Sequence, residues 1–171
     1  MTFGQRLRVP LLVALLVVVL DQLSKWWIVR MWPEPQSGEM TFIPHLVGLT
    51  YIRNEGVAFG LFQGIPQFFT ITSLVIVAGL IYFYLHSLPA GDRLVSVLVG
   101  MIIGGAIGNV LDRVRLNYVV DFIKTFDGHF PIFNVADSCV SVGVIILAAY
   151  LFLLDRRKPV VPTLAQHDRH A

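Results

Sequence analysis

Four apolar runs, each long enough to cross a bilayer, constrain this chain more than anything else in its sequence. A spanning helix needs about 20 predominantly apolar residues, about 17 to 25 in practice, and residues 9–28, 67–86, 94–111 and 138–154 each fall in that range. Composition agrees: 56% of the residues are hydrophobic and 14% charged, with a mean hydropathy of +0.72, against about 25% charged in soluble chains. This is not the composition of a water-soluble monomer. The net charge of +2 is too small for a nucleic-acid surface. The single cysteine, Cys139, rules out an intramolecular disulfide and a multi-cysteine zinc site.

The first run has the basic flank of a signal peptide in Arg6 and Arg8, but no small-x-small cleavage pattern follows it, so it reads as an uncleaved membrane helix. An even number of spans puts both termini on one side, with the short 87–93 connector. Lys and Arg counts on the two sides are nearly tied. The uninterrupted basic flanks, Arg6 with Arg8 and Arg156 with Arg157 and Lys158, assign the termini to the cytoplasm. Residues 31–66 then form an extracytoplasmic segment. Its β-branched and aromatic TFIPHLVGLTYIRNEG, broken by Pro44, Gly48 and Gly56, predicts short strands or a hairpin. Trp26, Trp27, Trp32, Phe59, Leu61 and Phe62 are expected at the membrane interface, and residues 159–171 as a flexible cytoplasmic tail. The expected class is an all-α integral membrane protein of four transmembrane helices carrying a small extracytoplasmic β-containing subdomain.

Ionisable residues at membrane depth are costly unless paired or hydrated, which makes them functional candidates. Asp21 and Lys25 stand at i and i+4 in DQLSK, a spacing that suits a structural ion pair on one helix face as well as a site. Gly100, Gly104 and Gly108 form a small-xxx-small stripe suited to close helix packing. Beyond it, GNVLDR sets Asn109, Asp112 and Arg113 on what reads as the last turn of the third span, with Arg113 either a snorkelling anchor or a site residue.

The strongest pairing is Asp121 in VVDFI with Asp137 in FNVADS. They stand sixteen positions apart with a turn at Asp127 and Gly128, and an out-and-back excursion of this length can bring both carboxylates together above spans three and four. Asn134 and Asp137 also have the spacing of an N-terminal capping motif. Two carboxylates close together in apolar surroundings do not both ionise easily, so one keeps a proton while the other activates water. Competing chemistries are poorly supplied. HExxH and GxSxG are absent, the five histidines are scattered, and Cys139 reads as a small buried hydrophobe without a base.

DQLSK, NEGVAF, GNVLDR, VVDF and FNVAD, in this order along a four-span chain, strongly resemble the motifs of the lipoprotein signal peptidases, or signal peptidase II. The resemblance runs from about Val9 to Leu154 and departs at Val57, where the family often has Ala. It implies an aspartic endopeptidase of the bacterial inner membrane, active at the extracytoplasmic face. Such an enzyme removes the signal peptide from prolipoproteins just before a diacylglyceryl-modified Cys. Asp121 and Asp137 match the catalytic pair. Asn109, Arg113 and Asn134 match residues that orient it, and Asp21, Lys25, Asn54 and Gly56 match further motif positions. No metal or other cofactor is expected. The expected partners are the prolipoprotein and membrane lipids, with no nucleic acid, around a monomer. A channel lined by Asp21, Lys25, Asp112 and Asp121 would spread its acids through the membrane, whereas these gather at one face. A scaffold protein would explain the glycine stripe but not the paired acids.

Overall fold

A computed structural model describes residues 2–56 and 66–156. The elements are α1 (Phe3–Met31), β1 (Glu39–Ile43), β2 (Val47–Asn54), α2 (Pro66–His86), α3 (Arg93–Leu116), β3 (Val119–Thr125), a short 3-10 turn (Phe126–Gly128) and α4 (Val135–Arg156). All four helices are long and apolar enough to cross a membrane. The 159–171 tail and Phe59, Leu61 and Phe62 lie outside the described residues.

Three helices extend beyond the apolar runs because polar residues cap them. At the start of α1, Thr2 and Gln5 form a reciprocal capping box, so the helix begins at Phe3. Pro10 lies inside α1 and has no N–H to give the Arg6 carbonyl. The Tyr84 hydroxyl of α2 donates to that carbonyl instead, at 2.9 Å. Asp92 caps α3 by accepting from the Val95 N–H at 3.1 Å. Helix α3 ends at Asn117, whose left-handed backbone (φ 65°) suits a helix C-cap. Asn109 and Asp112 therefore sit inside the helix rather than on its last turn.

The glycine stripe does the packing expected of it. A Cβ on Gly100 would come within 2.7 Å of the Pro10 carbonyl oxygen, and one on Gly104 within 2.7 Å of the Ala14 carbonyl oxygen, so α1 and α3 lie backbone to backbone. Contacts climb together along the two helices, from Pro10 with Gly100 to Asp21 with Gly108, so they run parallel. Gly143 of α4 meets Ile102 and Leu98 of α3, while Asn109 meets Asp137, so α4 runs antiparallel to α3. Tyr84 near the end of α2 bonds Ser96 near the start of α3. The bundle therefore alternates in direction, with α3 at its centre. Val95, Leu98, Val99, Ile102 and Ile103 of α3 form the core with Ala14, Tyr84, Leu88 and Leu147. The outer faces of α1, α2 and α4 expose large apolar side chains such as Leu12, Leu16, Ile71, Val75 and Ile145, as lipid contact requires.

At the end of the bundle where α1 and α3 finish, β1, β2 and β3 form an antiparallel sheet in that order. Its third strand comes from outside the 31–66 segment, since Val119–Thr125 pairs with β2. The sheet docks through Tyr51, Val120 and Phe122 onto Ile28 of α1. Trp26 and Trp27 are exposed, and Trp32 packs, partly buried, against this cluster.

Candidate active site

The site forms where the sheet meets the ends of α1 and α3 and the start of α4. Lys25, 3% exposed, is its electrostatic anchor. Its ammonium lies 2.8 Å from Asp21 Oδ2 and 2.9 Å from Asp112 Oδ2, and it donates to Asn109 Oδ1 at 3.0 Å. Asp21 is thus more than half of an i,i+4 pair. Its other oxygen accepts the Ala136 N–H at 3.0 Å, which ties α1 to the first turn of α4 and sets a negative charge at that helix's positive end. Asp112 likewise accepts the Val120 N–H at 3.1 Å and fixes the start of β3.

The Lys25 bond orients the Asn109 amide. With its oxygen occupied by Lys25 and by Asn134 Nδ2 at 3.1 Å, its NH2 group points at Asp137 Oδ1, 2.7 Å away. Asn134 and Asp137 also form the capping box that their spacing suggests. The Asp137 N–H donates to Asn134 Oδ1 at 2.9 Å, and the Asn134 N–H donates to Asp137 Oδ2 at 3.2 Å. Capping and site geometry coincide in one carboxylate. Asn134 Nδ2 also donates to Asp121 Oδ1 at 2.6 Å, so Asn134 holds both carboxylates, Asp121 by its side-chain NH2 and Asp137 by its backbone N–H.

Asp121 is buried on β3. Register pairs Val119 with Asn54 and Asp121 with Ile52, which makes Asn54 a diagonal neighbour of Asp121 on one sheet face. Asn54 Nδ2 donates to Asp121 Oδ2 at 2.7 Å, and the Gly56 N–H holds Asn54 Oδ1 at 3.1 Å. Burial, followed by the charge of Asp137, pushes the Asp121 carboxyl from its ordinary 3.8 up to about 7. Asp121 and Asp137 open into a cavity of about 820 Å³, walled by Arg113, Phe130, Phe133 and Val142. Among the described residues Arg113 forms no ion pair; its guanidinium stands 5.8 Å over the Phe69 ring and faces the cavity.

Of the nine expected site residues, eight join this hydrogen-bonded assembly and Arg113 lines its cavity. His129 and Ser138 share the cavity wall but are otherwise engaged: His129 Nδ1 bonds the Phe126 carbonyl and Ser138 Oγ donates to the Asn134 carbonyl. Cys139 is only partly buried. The described residues hold no cluster of metal-ligating side chains.

The family model described as Signal peptidase (SPase) II matches residues 13–153. The chain belongs to the signal peptidase II family. A lipoprotein signal peptidase of Listeria welshimeri is 43% identical over 148 residues, spanning 85% of this chain and 94% of its own. That of Geobacillus thermodenitrificans is 41% identical over 152 residues, 87% of this chain and 92% of its own. Two solved structures, each described as a bacterial membrane enzyme, share the fold. One is 32% identical with a TM-score of 0.76 over 95% of this chain and 93% of the other. The second is 36% identical with a TM-score of 0.72, over 83% and 91%. As a signal peptidase II, the chain is a bacterial membrane peptidase.

The sequence points to Asp112 but not to its partner, and does not point to Gln22. Asp112 supplies the second carboxylate on Lys25, and Gln22 donates to Asp112 Oδ1 at 2.9 Å and Asp21 Oδ2 at 3.2 Å. The available signal was spacing: Asp112 is three residues after Asn109, on the same side of α3.

Proposed function

We propose that this signal peptidase II removes the signal peptide from diacylglyceryl-modified prolipoproteins, cutting before the modified Cys with water activated between Asp121 and Asp137. The observation that carries the reading is the pair of carboxylates converging on one apolar-walled cavity, each held by asparagine amides. Asp137, in the first turn of α4, takes the proton of the attacking water, since negative charge suits a helix N-terminus. Asp121, protonated up to about pH 7, gives its proton to the carbonyl oxygen as the tetrahedral diol forms. Collapse passes the proton on Asp137 to the departing amine and returns one from the diol to Asp121, so the pair ends as it began. No covalent intermediate is needed.

Asn109, Asn134 and Asn54 position the acids, Lys25 and Asp21 hold Asn109 and the start of α4, and Gly56 orients Asn54. Arg113 faces the scissile region from the cavity wall. The cavity volume is within the usual range for ligand sites, about 300–1,000 Å³. Its Val142 and Phe133 wall suits a substrate that brings acyl chains. The enzyme acts as a monomer without a cofactor in the bacterial inner membrane, with spans close to residues 9–28, 67–86, 94–111 and 138–154, both termini cytoplasmic and the sheet end outside. The test is a purified-enzyme assay on a diacylglyceryl-modified peptide and its unmodified twin. Cleavage of the modified peptide alone, just before the Cys, is expected; equal cleavage of both overturns the substrate assignment.

A further inference from the structure

On the flank formed by α1 and α3 lies a second cavity, of about 650 Å³, whose wall includes Leu23, Trp26 and Arg30 of α1 and Arg115 of α3, together with Lys25 and Asp112 of the site assembly. The chemistry at Asp121 and Asp137 makes no use of it. Its charge is one-sided. Among the described residues Arg30 and Arg115 form no ion pair. The one carboxylate in the lining, Asp112, is already taken by Lys25, Gln22 and the Val120 N–H. Both guanidiniums are held in place: Arg30 stacks 4.7 Å over the Trp26 ring, and Arg115 donates to Gln22 Oε1 at 3.2 Å.

The depth of the groove is informative. Val19 and Arg30 are eleven residues apart on α1, about 16 Å along a helix, which is about half the ~30 Å hydrocarbon core. Arg30 and Arg115 lie in the last turns of their spans, where headgroups sit. The exposed Leu23, Val19 and Trp26 beneath them face a single leaflet.

We propose that this groove binds an anionic phospholipid, its phosphate between Arg30 and Arg115 and an acyl chain along Leu23 and Val19. Guanidiniums suit a phosphodiester because their fork matches its oxygens, and Trp26 supplies the interfacial ring that such a boundary favours. Gln22 links the site to the Lys25 cluster, since it accepts from Arg115 and donates to Asp112.

The experiment reads Trp26 fluorescence in phosphatidylcholine vesicles that contain a minor fraction of either brominated phosphatidylglycerol or brominated phosphatidylcholine. The Trp26 contribution is isolated by difference from Trp26→Phe. Two basic side chains at a headgroup are together worth roughly 30-fold in binding, so quenching by the phosphatidylglycerol label is expected at correspondingly lower lipid fractions. Arg30→Gln/Arg115→Gln should abolish that preference and Arg30→Lys/Arg115→Lys should keep most of it. Inorganic phosphate at millimolar levels should not displace the label. Equal quenching by the two labelled lipids in wild type overturns the proposal whether or not any variant folds. So does a preference that survives in the Gln pair, or displacement by inorganic phosphate, which would mark a free-anion site. Cleavage of the modified peptide, measured on the same vesicles, is a separate readout of the catalytic reading.

Discussion

Lys25 donates to Asn109 Oδ1 at 3.0 Å, and this bond turns the Asn109 amide so that its NH2 group meets Asp137. A residue with no contact to the cavity acids thereby governs how one of them is presented. Lys25→Met should leave Asp21 and Asp112 buried without a counter-charge, a loss of about 3–5 kcal/mol for a broken buried pair. Lys25→Arg keeps the charge but cannot place three donors around one point. Thermal unfolding midpoints and cleavage rates should rank wild type above Arg and Arg well above Met; an equal loss in both variants would mean that only an ammonium serves.

Packing can be probed apart from chemistry at Gly104, where an added Cβ would meet the Ala14 carbonyl oxygen at 2.7 Å and Val17 Cβ at 2.8 Å. Overpacking of this kind typically costs about 1–3 kcal/mol or more. Gly104→Leu should lower membrane accumulation and thermal stability, with the residual folded enzyme still active. Normal amounts of normally active protein would remove the close-approach argument.

The four long helices, the Asp21–Lys25 ion pair and the Asn134–Asp137 cap were legible in the sequence because each depends on local pattern: long apolar runs, an i,i+4 spacing, a capping spacing; Asn54, Gly56, Asn109 and Arg113 were marked by the resemblance to the signal peptidase II motifs. What was not legible depends on register between distant elements. Asp112 reaches Lys25 only because the glycine stripe brings α3 against α1 in parallel. Val119–Thr125 reads as part of a loop excursion until β2 pairs with it, and that pairing sets Asn54 diagonal to Asp121. Helix ends were read short because Thr2 and Asn117 carry α1 and α3 past their apolar stretches.

Topology has its own test. Single cysteines at positions 90 and 37, in a Cys139→Ala background, should be labelled by a membrane-impermeant thiol reagent in intact cells only at position 37. Labelling at position 90 from outside would reverse the proposed orientation.

The raised Asp121 carboxyl predicts two pH effects, one on rate and one on stability. As proton donor it must be protonated, so kcat/KM should fall as pH rises through about 7. Asn54→Ala removes a donor that favours the ionised form, so this limb should move to higher pH. For stability, a folded-state value above the unfolded one contributes stability at low pH that is lost as pH rises from about 4 through about 7. The rise from 3.8 to about 7 corresponds to on the order of 4 kcal/mol. Asp121→Asn, though inactive, should therefore gain thermal stability relative to wild type between about pH 4 and about pH 8. A constant difference across that range would deny the shift.

The central claim is that Asp121 and Asp137 act as one water-activating unit, and the most direct measurement is cleavage of the diacylglyceryl-modified peptide by Asp121→Asn, Asp137→Asn and the double variant. Each Asn keeps the shape but neither accepts nor passes on a proton, so each single variant should lose at least about 10²-fold to 10⁴-fold in rate while still inserting into the membrane. Because the two act together, the double variant should be little worse than either single one. Cleavage near the wild-type rate by either single variant would contradict the account.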